Sequence, residues 1–142
     1  MNNSGDDIFL LIERTLRQFR KFSQLELSKR NLDISEEQLS ILQCLNSESG
    51  INQKKISEAV YKDPASVTRM IDILEKKDLV KRKSDSYDRR SYSIQLTQTG
   101  SDFIGQLIPL TKEMRKYGVK GIDEMDLNTA LSVLKAICKN LE

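Results

Sequence analysis

The sequence predicts a mainly α-helical protein with one small β-hairpin, and three neighbouring segments indicate this fold class. The first is a short helix opened by Asn52, whose apolar face consists of Ile56, Ala59 and Val60. The second is a longer helix whose apolar residues recur at i, i+3, i+4 and i+7: Val67, Met70, Ile71 and Leu74. The third is a pair of β-forming runs, residues 79–83 and 92–96, on either side of a polar stretch. Helix, helix and hairpin in this order predict a winged helix-turn-helix.

The second helix has the residues of a DNA recognition helix at its beginning. Asp63 can accept hydrogen bonds from the first free N–H groups, and Pro64 at the first helical position loses no bond that the helix needs. Its face opposite the apolar stripe starts with two short hydroxyl side chains and one long cation: Ser66, Thr68 and Arg69. Such side chains read base edges when the N-terminal end of a helix enters a major groove.

Four further helices are predicted outside this central part. They begin at Asp6, Ser35, Thr97 and Asp123 and end at about residues 27, 46, 117 and 141. Ser35 and the glutamine three positions later form a capping box. Pro109 lies inside the helix that follows Thr97, and we expect it to bend that helix. A short strand at Ile51 is expected to join the hairpin.

The first and last helices are more apolar than one small core requires. We therefore expect residues 6–34 and 101–141 to pair with the same segments of a second copy and form a two-fold homodimer. We expect about residues 35–100 to form the winged helix-turn-helix, and residues 1–142 to form a single domain.

Composition argues against an enzyme, a metal site and a cofactor. The 142 residues contain no histidine, and we find no Gly-rich phosphate loop and no nucleophile motif. No stretch is apolar enough to span a membrane and no leader is recognised, so we expect a cytoplasmic protein. Cys44 and Cys138 do not form a disulfide framework. We interpret both as packing residues, with oxidant sensing as the alternative.

Basic charge is concentrated in the predicted DNA-binding part. Residues 51–95 contain 11 basic and 7 acidic residues, whereas the remainder contains 12 basic and 14 acidic residues. A local positive excess is the electrostatic signature of a nucleic-acid-binding surface.

The chain resembles the MarR family of bacterial transcription regulators over residues 6–141. The most specific part is Asp88-Arg89-Arg90, followed by Leu96-Thr97-x-x-Gly100. Residues 52–57 and 67–80 resemble the family as well. Asp78 is a departure, because the family usually has glycine there to close the recognition helix in a left-handed conformation.

The resemblance implies a homodimer that binds a pseudo-palindromic double-stranded DNA operator and acts as a ligand-responsive repressor. It places five residues of the recognition helix in the major groove: Pro64, Ala65, Ser66, Thr68 and Arg69. It places a wing arginine in the minor groove, for which Arg90 is our first choice and Arg89 the second, and it implies that an ion pair of Asp88 holds the wing. The family's ligands are often small phenolic or lipophilic molecules, and the resemblance implies such a ligand here. The alternative is a winged-helix module that binds a protein and no DNA.

Overall fold

A computed structural model describes residues 4–84 and 92–142, and within them the predicted order of elements is confirmed. The elements are α1 (Ser4–Lys29), α2 (Glu36–Ser47), β1 (Ile51–Asn52), α3 (Gln53–Val60), α4 (Pro64–Lys76), β2 (Val80–Ser84), β3 (Tyr92–Leu96), α5 (Gln98–Gly118) and α6 (Glu124–Leu141). The predicted wing residues Asp88, Arg89 and Arg90 lie outside the described residues. The described helices are not long and apolar enough to cross a membrane.

The chain divides into two compact units, one up to Thr111 and one from Lys112 to Glu142. The core of the first unit is built mainly from the inward faces of α2, α3, α4 and the sheet. Its largest fully buried side chains include Leu27, Ile41, Leu42, Leu45, Ile56, Ile71, Leu74 and Ile94. The apolar stripe predicted for α4 belongs to this core, since Val67, Met70, Ile71 and Leu74 are at most 8% exposed.

The three strands form one antiparallel sheet in the order β1-β3-β2. Ile51 pairs with Ile94, so the short strand expected at Ile51 is confirmed. The hairpin register runs from Val80 opposite Leu96 to Ser84 opposite Tyr92. Because side chains alternate between faces, this register buries Val80 and Ile94 on the core side and leaves the alternate residues of β2 in solvent.

Four of the predicted helix caps form as expected, and at one of them the Thr97 hydroxyl accepts a hydrogen bond from the N–H of Gly100 at 2.9 Å. Ser35 makes a complete capping box with Gln38, and the side chains of Asn52 and Asp63 accept hydrogen bonds from the backbone N–H groups of Lys55 and Ser66. Asp123 takes the predicted cap position of α6, but its side chain makes no capping hydrogen bond. The predicted position is therefore correct there, whereas the predicted bond is absent.

The turn after α4 explains why glycine stands at position 100. Asp78 adopts the left-handed conformation, with φ 58°, so the turn forms without the glycine usual in the family. Thr97 donates its hydroxyl hydrogen to the carbonyl of Asp78 and accepts from the N–H of Gly100 at 2.9 Å. A Cβ at Gly100 would lie 1.9 Å from the carbonyl oxygen of Leu79. Only glycine allows this close approach.

Exposed apolar side chains occur on the terminal helices of both units. On α1 they are Phe9, Leu10, Leu11, Leu16 and Leu25. On the C-terminal unit they include Tyr117, Val119, Ile122, Met125, Leu131, Val133, Leu134 and Leu141, and α6 has no buried residue. Each unit thus has apolar surface that the single chain leaves in contact with water.

Candidate nucleic-acid interface

The beginning of α4 presents the five predicted major-groove residues away from the core. Pro64, Ala65 and Arg69 are exposed, and Ser66 and Thr68 are half-buried. The intervening Val67 is fully buried, which fixes the rotation of the helix about its axis. The structure therefore brings these five side chains to one outer surface.

Asp63, Ser66 and Arg69 form a hydrogen-bonded series on this surface. The hydroxyl of Ser66 donates to Asp63 Oδ2 at 2.6 Å, and its backbone N–H donates to Asp63 Oδ1 at 2.9 Å. Arg69 Nη2 donates to Ser66 Oγ at 3.1 Å. The two bonds from Ser66 hold the pKa of Asp63 below its ordinary value, with a smaller contribution from the charge of Arg69. Asp63 is thus ionised at neutral pH, and Arg69 is oriented before any ligand arrives.

Thr68 is tied both to its own helix and to α3. Its hydroxyl donates to the carbonyl oxygen of Pro64 at 2.8 Å and accepts a hydrogen bond from Gln53 Nε2. Sequence reasoning missed Gln53. The available signal was its position directly after the cap Asn52, because the first turn of α3 lies close to the recognition helix in this motif.

Arg82 joins the hairpin to α4 and was also missed. Its Nη2 lies 2.6 Å from Asp72 Oδ1 and its Nη1 lies 2.9 Å from Glu75 Oε1. Its backbone N–H donates to the other oxygen of Glu75 at 3.3 Å. The signal in the sequence was a pair of carboxylates three residues apart on the outer side of α4, with a cation on the next strand. The two carboxylates neutralise Arg82, which makes it a support of the hairpin rather than a free cation.

The lysines of the helix-turn-helix and the hairpin differ in whether they form ion pairs. Lys62 is paired with Glu37 at 2.8 Å, and Lys55 lies 3.9 Å from Glu48. Three further lysines, Lys54, Lys81 and Lys83, make no ion pair with any residue that the structure describes. Like Arg69, these three are cations of the described residues that remain available to phosphate groups.

A cavity of about 480 Å³ lies between α1, α2 and the end of α3. Its lining includes Leu16, Phe19, Arg20, Glu36, Cys44 and Val60. Phe19 of α1 lines this cavity, whereas Ile41 and Leu42 of α2 are fully buried in the core.

Two titrating groups of this cavity are affected by burial. Desolvation raises the pKa of the Cys44 thiol, and the charge of Glu48 raises it further. Desolvation also raises the pKa of Glu36, while the charge of Arg20 partly opposes the rise. Cys44 is therefore mainly a protonated thiol at neutral pH.

Comparisons with known proteins agree on one family. Residues 34–92 match the model of the MarR family. The transcriptional regulator SarZ of Staphylococcus aureus (strain MRSA252) is 31% identical over 99 residues, which span 69% of this chain and 67% of SarZ.

Two solved structures show the same fold over nearly the whole chain. One is a mutant of MarR from E. coli complexed with operator DNA, with TM-score 0.84 and 23% identity over 92% of this chain and 93% of that one. The other is BpsR of Bordetella bronchiseptica, whose DNA binding is regulated by 6-hydroxynicotinic acid. Its TM-score is 0.84, with 17% identity over 93% of this chain and 98% of that one. On the identity and coverage shared with SarZ, and on the matching family model, the chain belongs to the MarR family.

Proposed function

We propose that this protein is a sequence-specific transcription regulator that binds double-stranded DNA as a homodimer. The observation that carries the proposal is the outer surface of α4, where Arg69 donates a hydrogen bond to Ser66, in a winged helix-turn-helix whose described residues also include lysines without an ion pair. A cation held in place by a neighbouring hydroxyl loses less conformational freedom on binding than a free side chain does. The fold shared with an operator-bound MarR supports the same assignment.

The contacts would divide between affinity and specificity. Lys54, Lys81 and Lys83 would contact phosphates and supply affinity that falls with salt. The start of α4 would enter the major groove and supply sequence preference. Arg90, held in place with the help of Asp88, would reach the adjacent minor groove.

Dimerisation follows from the exposed apolar surface of α1 and α6. Covering these side chains with a second copy would remove apolar area from water, and a two-fold dimer presents two recognition helices at once. Their half-sites would then lie roughly 34–36 Å apart, one turn of DNA. Sedimentation should show a dimer at micromolar concentration, and a monomer under those conditions would contradict this part of the proposal.

The cavity beside Cys44 supports regulation by a small molecule. We propose that the protein represses genes in the bacterial cytoplasm and that a ligand in this cavity controls its binding to DNA. Phe19, Leu16 and Val60 supply apolar walls, and Arg20 supplies a cation for a carboxylate or a phenolate. BpsR offers a precedent of the same fold, since a small acid regulates its DNA binding. A ligand there acts only if it binds better to one spacing of the two recognition helices than to another.

The decisive experiment is selection of bound duplexes from a random pool, followed by titration at several salt concentrations. We expect a recovered sequence with two related halves and an affinity that decreases steeply with salt. Arg90→Ala should weaken binding to that sequence at least tenfold and flatten the salt dependence. Absence of salt-dependent affinity for any duplex would favour the alternative, a winged helix that binds only a protein partner.

A further inference from the structure

Gln53 connects the two helices of the helix-turn-helix through its side chain. It is the first residue of α3, and its Nε2 donates to Thr68 Oγ1 on the second turn of α4. Among the described residues, no other side-chain hydrogen bond joins α3 to α4. The end of the Gln53 side chain is therefore held on the outer face of the recognition helix.

The hydrogen-bond network fixes which way the amide of Gln53 points. The single hydroxyl hydrogen of Thr68 is used on the carbonyl oxygen of Pro64 at 2.8 Å. Thr68 Oγ1 can then only accept from its neighbour, so the group of Gln53 that contacts it must be the NH₂ and not the carbonyl oxygen.

This orientation leaves one edge of the amide free. Gln53 has two N–H donors and one carbonyl acceptor, and Thr68 takes a single donor. With the N–H that points away from Oε1 donated to Thr68, the second N–H lies beside Oε1. Neither of these two groups is bonded within the part of the chain that the structure describes. An adjacent donor and acceptor match N7 and the N6 amino group of adenine, the bidentate contact that glutamine makes in a major groove.

We propose that Gln53 reads an adenine in each half of the operator, and that Thr68 is the positioning residue that holds its amide in register. This inference rests on the proposed DNA-binding function. Thr68 itself has no hydrogen left to donate to a base, because its only hydroxyl hydrogen is already donated within the protein.

The test uses the full-length protein and the duplex recovered by selection, with each base pair replaced in turn. Wild type should discriminate one A·T pair per half-site by roughly 5- to 150-fold. Gln53→Ala should lose that discrimination and keep the preference at the other positions. Gln53→Glu should lose that discrimination as well, because a carboxylate has no N–H to donate to Thr68 or to N7 of adenine.

Variants of Thr68 separate positioning from simple support of the fold. Thr68→Val removes the acceptor of the Gln53 amide and should reduce discrimination at the same base pair, whereas Thr68→Ser keeps the hydroxyl and should restore it. Gln98→Ala is the matched control, since Gln98 is the first residue of α5 and its Nε2 is likewise bonded to a neighbour, Asp102, at 2.9 Å. The control should leave every preference unchanged.

Two outcomes overturn the inference. One is that Gln53→Ala binds all duplexes more weakly by the same factor, which would mean that the Gln53 amide contacts a phosphate. The other is an unchanged preference at every base pair in both Gln53 variants. If wild type itself selects no sequence, the proposed function fails instead, so the two failures are distinguishable.

Discussion

Replacing Gly100 with alanine would place a methyl group against the backbone of Leu79. The added Cβ would lie 1.9 Å from the carbonyl oxygen and 2.8 Å from the carbonyl carbon of Leu79, whereas ordinary contact begins at 3.4 Å. The start of α5 would therefore have to retreat by roughly 1.5 Å. That shift also strains the 3.1 Å hydrogen bond from the N–H of Thr97 to the same carbonyl oxygen.

The expected cost of Gly100→Ala is about 1–3 kcal/mol. Overpacking of this kind costs about 1–3 kcal/mol, and weakening one backbone hydrogen bond adds about 1 kcal/mol. Alanine returns at most about 1 kcal/mol through its better helix propensity. Gly105 on the same helix is the control, because a Cβ there meets nothing within 4 Å. Gly105→Ala should gain about 0.5–1 kcal/mol.

Urea unfolding and thermal melting at one fixed protein concentration measure both variants, since the stability of a dimer depends on concentration. At roughly 3 °C per kcal/mol, Gly100→Ala should lower the Tm by about 3–9 °C and Gly105→Ala should raise it slightly. A Tm of Gly100→Ala within about 2 °C of wild type would refute the reasoning, as would equal shifts in the two variants.

Three further outcomes are expected. Arg82→Ala should reduce the free energy of unfolding by about 1–2 kcal/mol at low salt and by less in about 1 M NaCl, because both of its ion pairs are partly exposed. Urea midpoints that fall equally at both salt concentrations would contradict an ionic contribution. Arg69→Ala should relax the sequence preference in duplex binding, whereas an equal loss on every duplex would assign Arg69 to a phosphate. In Cys138→Ser protein, alkylation of Cys44 should reach its half-maximal rate at higher pH when folded than when unfolded in urea. The thiolate forms only as pH rises through the raised folded pKa, so an identical pH profile in both states would contradict that pKa.

Local signals in the sequence were sufficient for the elements and for the face of α4. Asp63-Pro64 located the start of that helix, and the periodic apolar residues determined which side faces inward. Ser66, Thr68 and Arg69 then had to lie on the outer side. Capping and periodicity depend on neighbours within a few residues, and such neighbours can be recognised without coordinates.

Contacts between side chains of different elements could not be predicted from neighbours in the sequence. Gln53 and Thr68 are 15 residues apart, and Arg82 meets a carboxylate 10 residues earlier in the chain. The sequence pattern would be the same with arginine or lysine on β2. It would also be the same with any polar residue in place of the glutamine after Asn52. Only the packing of α3 and β2 against α4 determines which polar side chains reach each other.

By itself, the sequence determined a winged helix-turn-helix between two apolar terminal helices, and the outer face by which it would meet DNA. The tertiary structure alone decided that Arg82 is neutralised, that Thr68 has already donated its hydrogen, and that Gln53 lies beside it with one edge unoccupied by any described residue. The physical reason is distance. Helix periodicity and caps act between residues a few positions apart, whereas a hydrogen bond between two elements exists only when their packing brings donor and acceptor to about 3 Å.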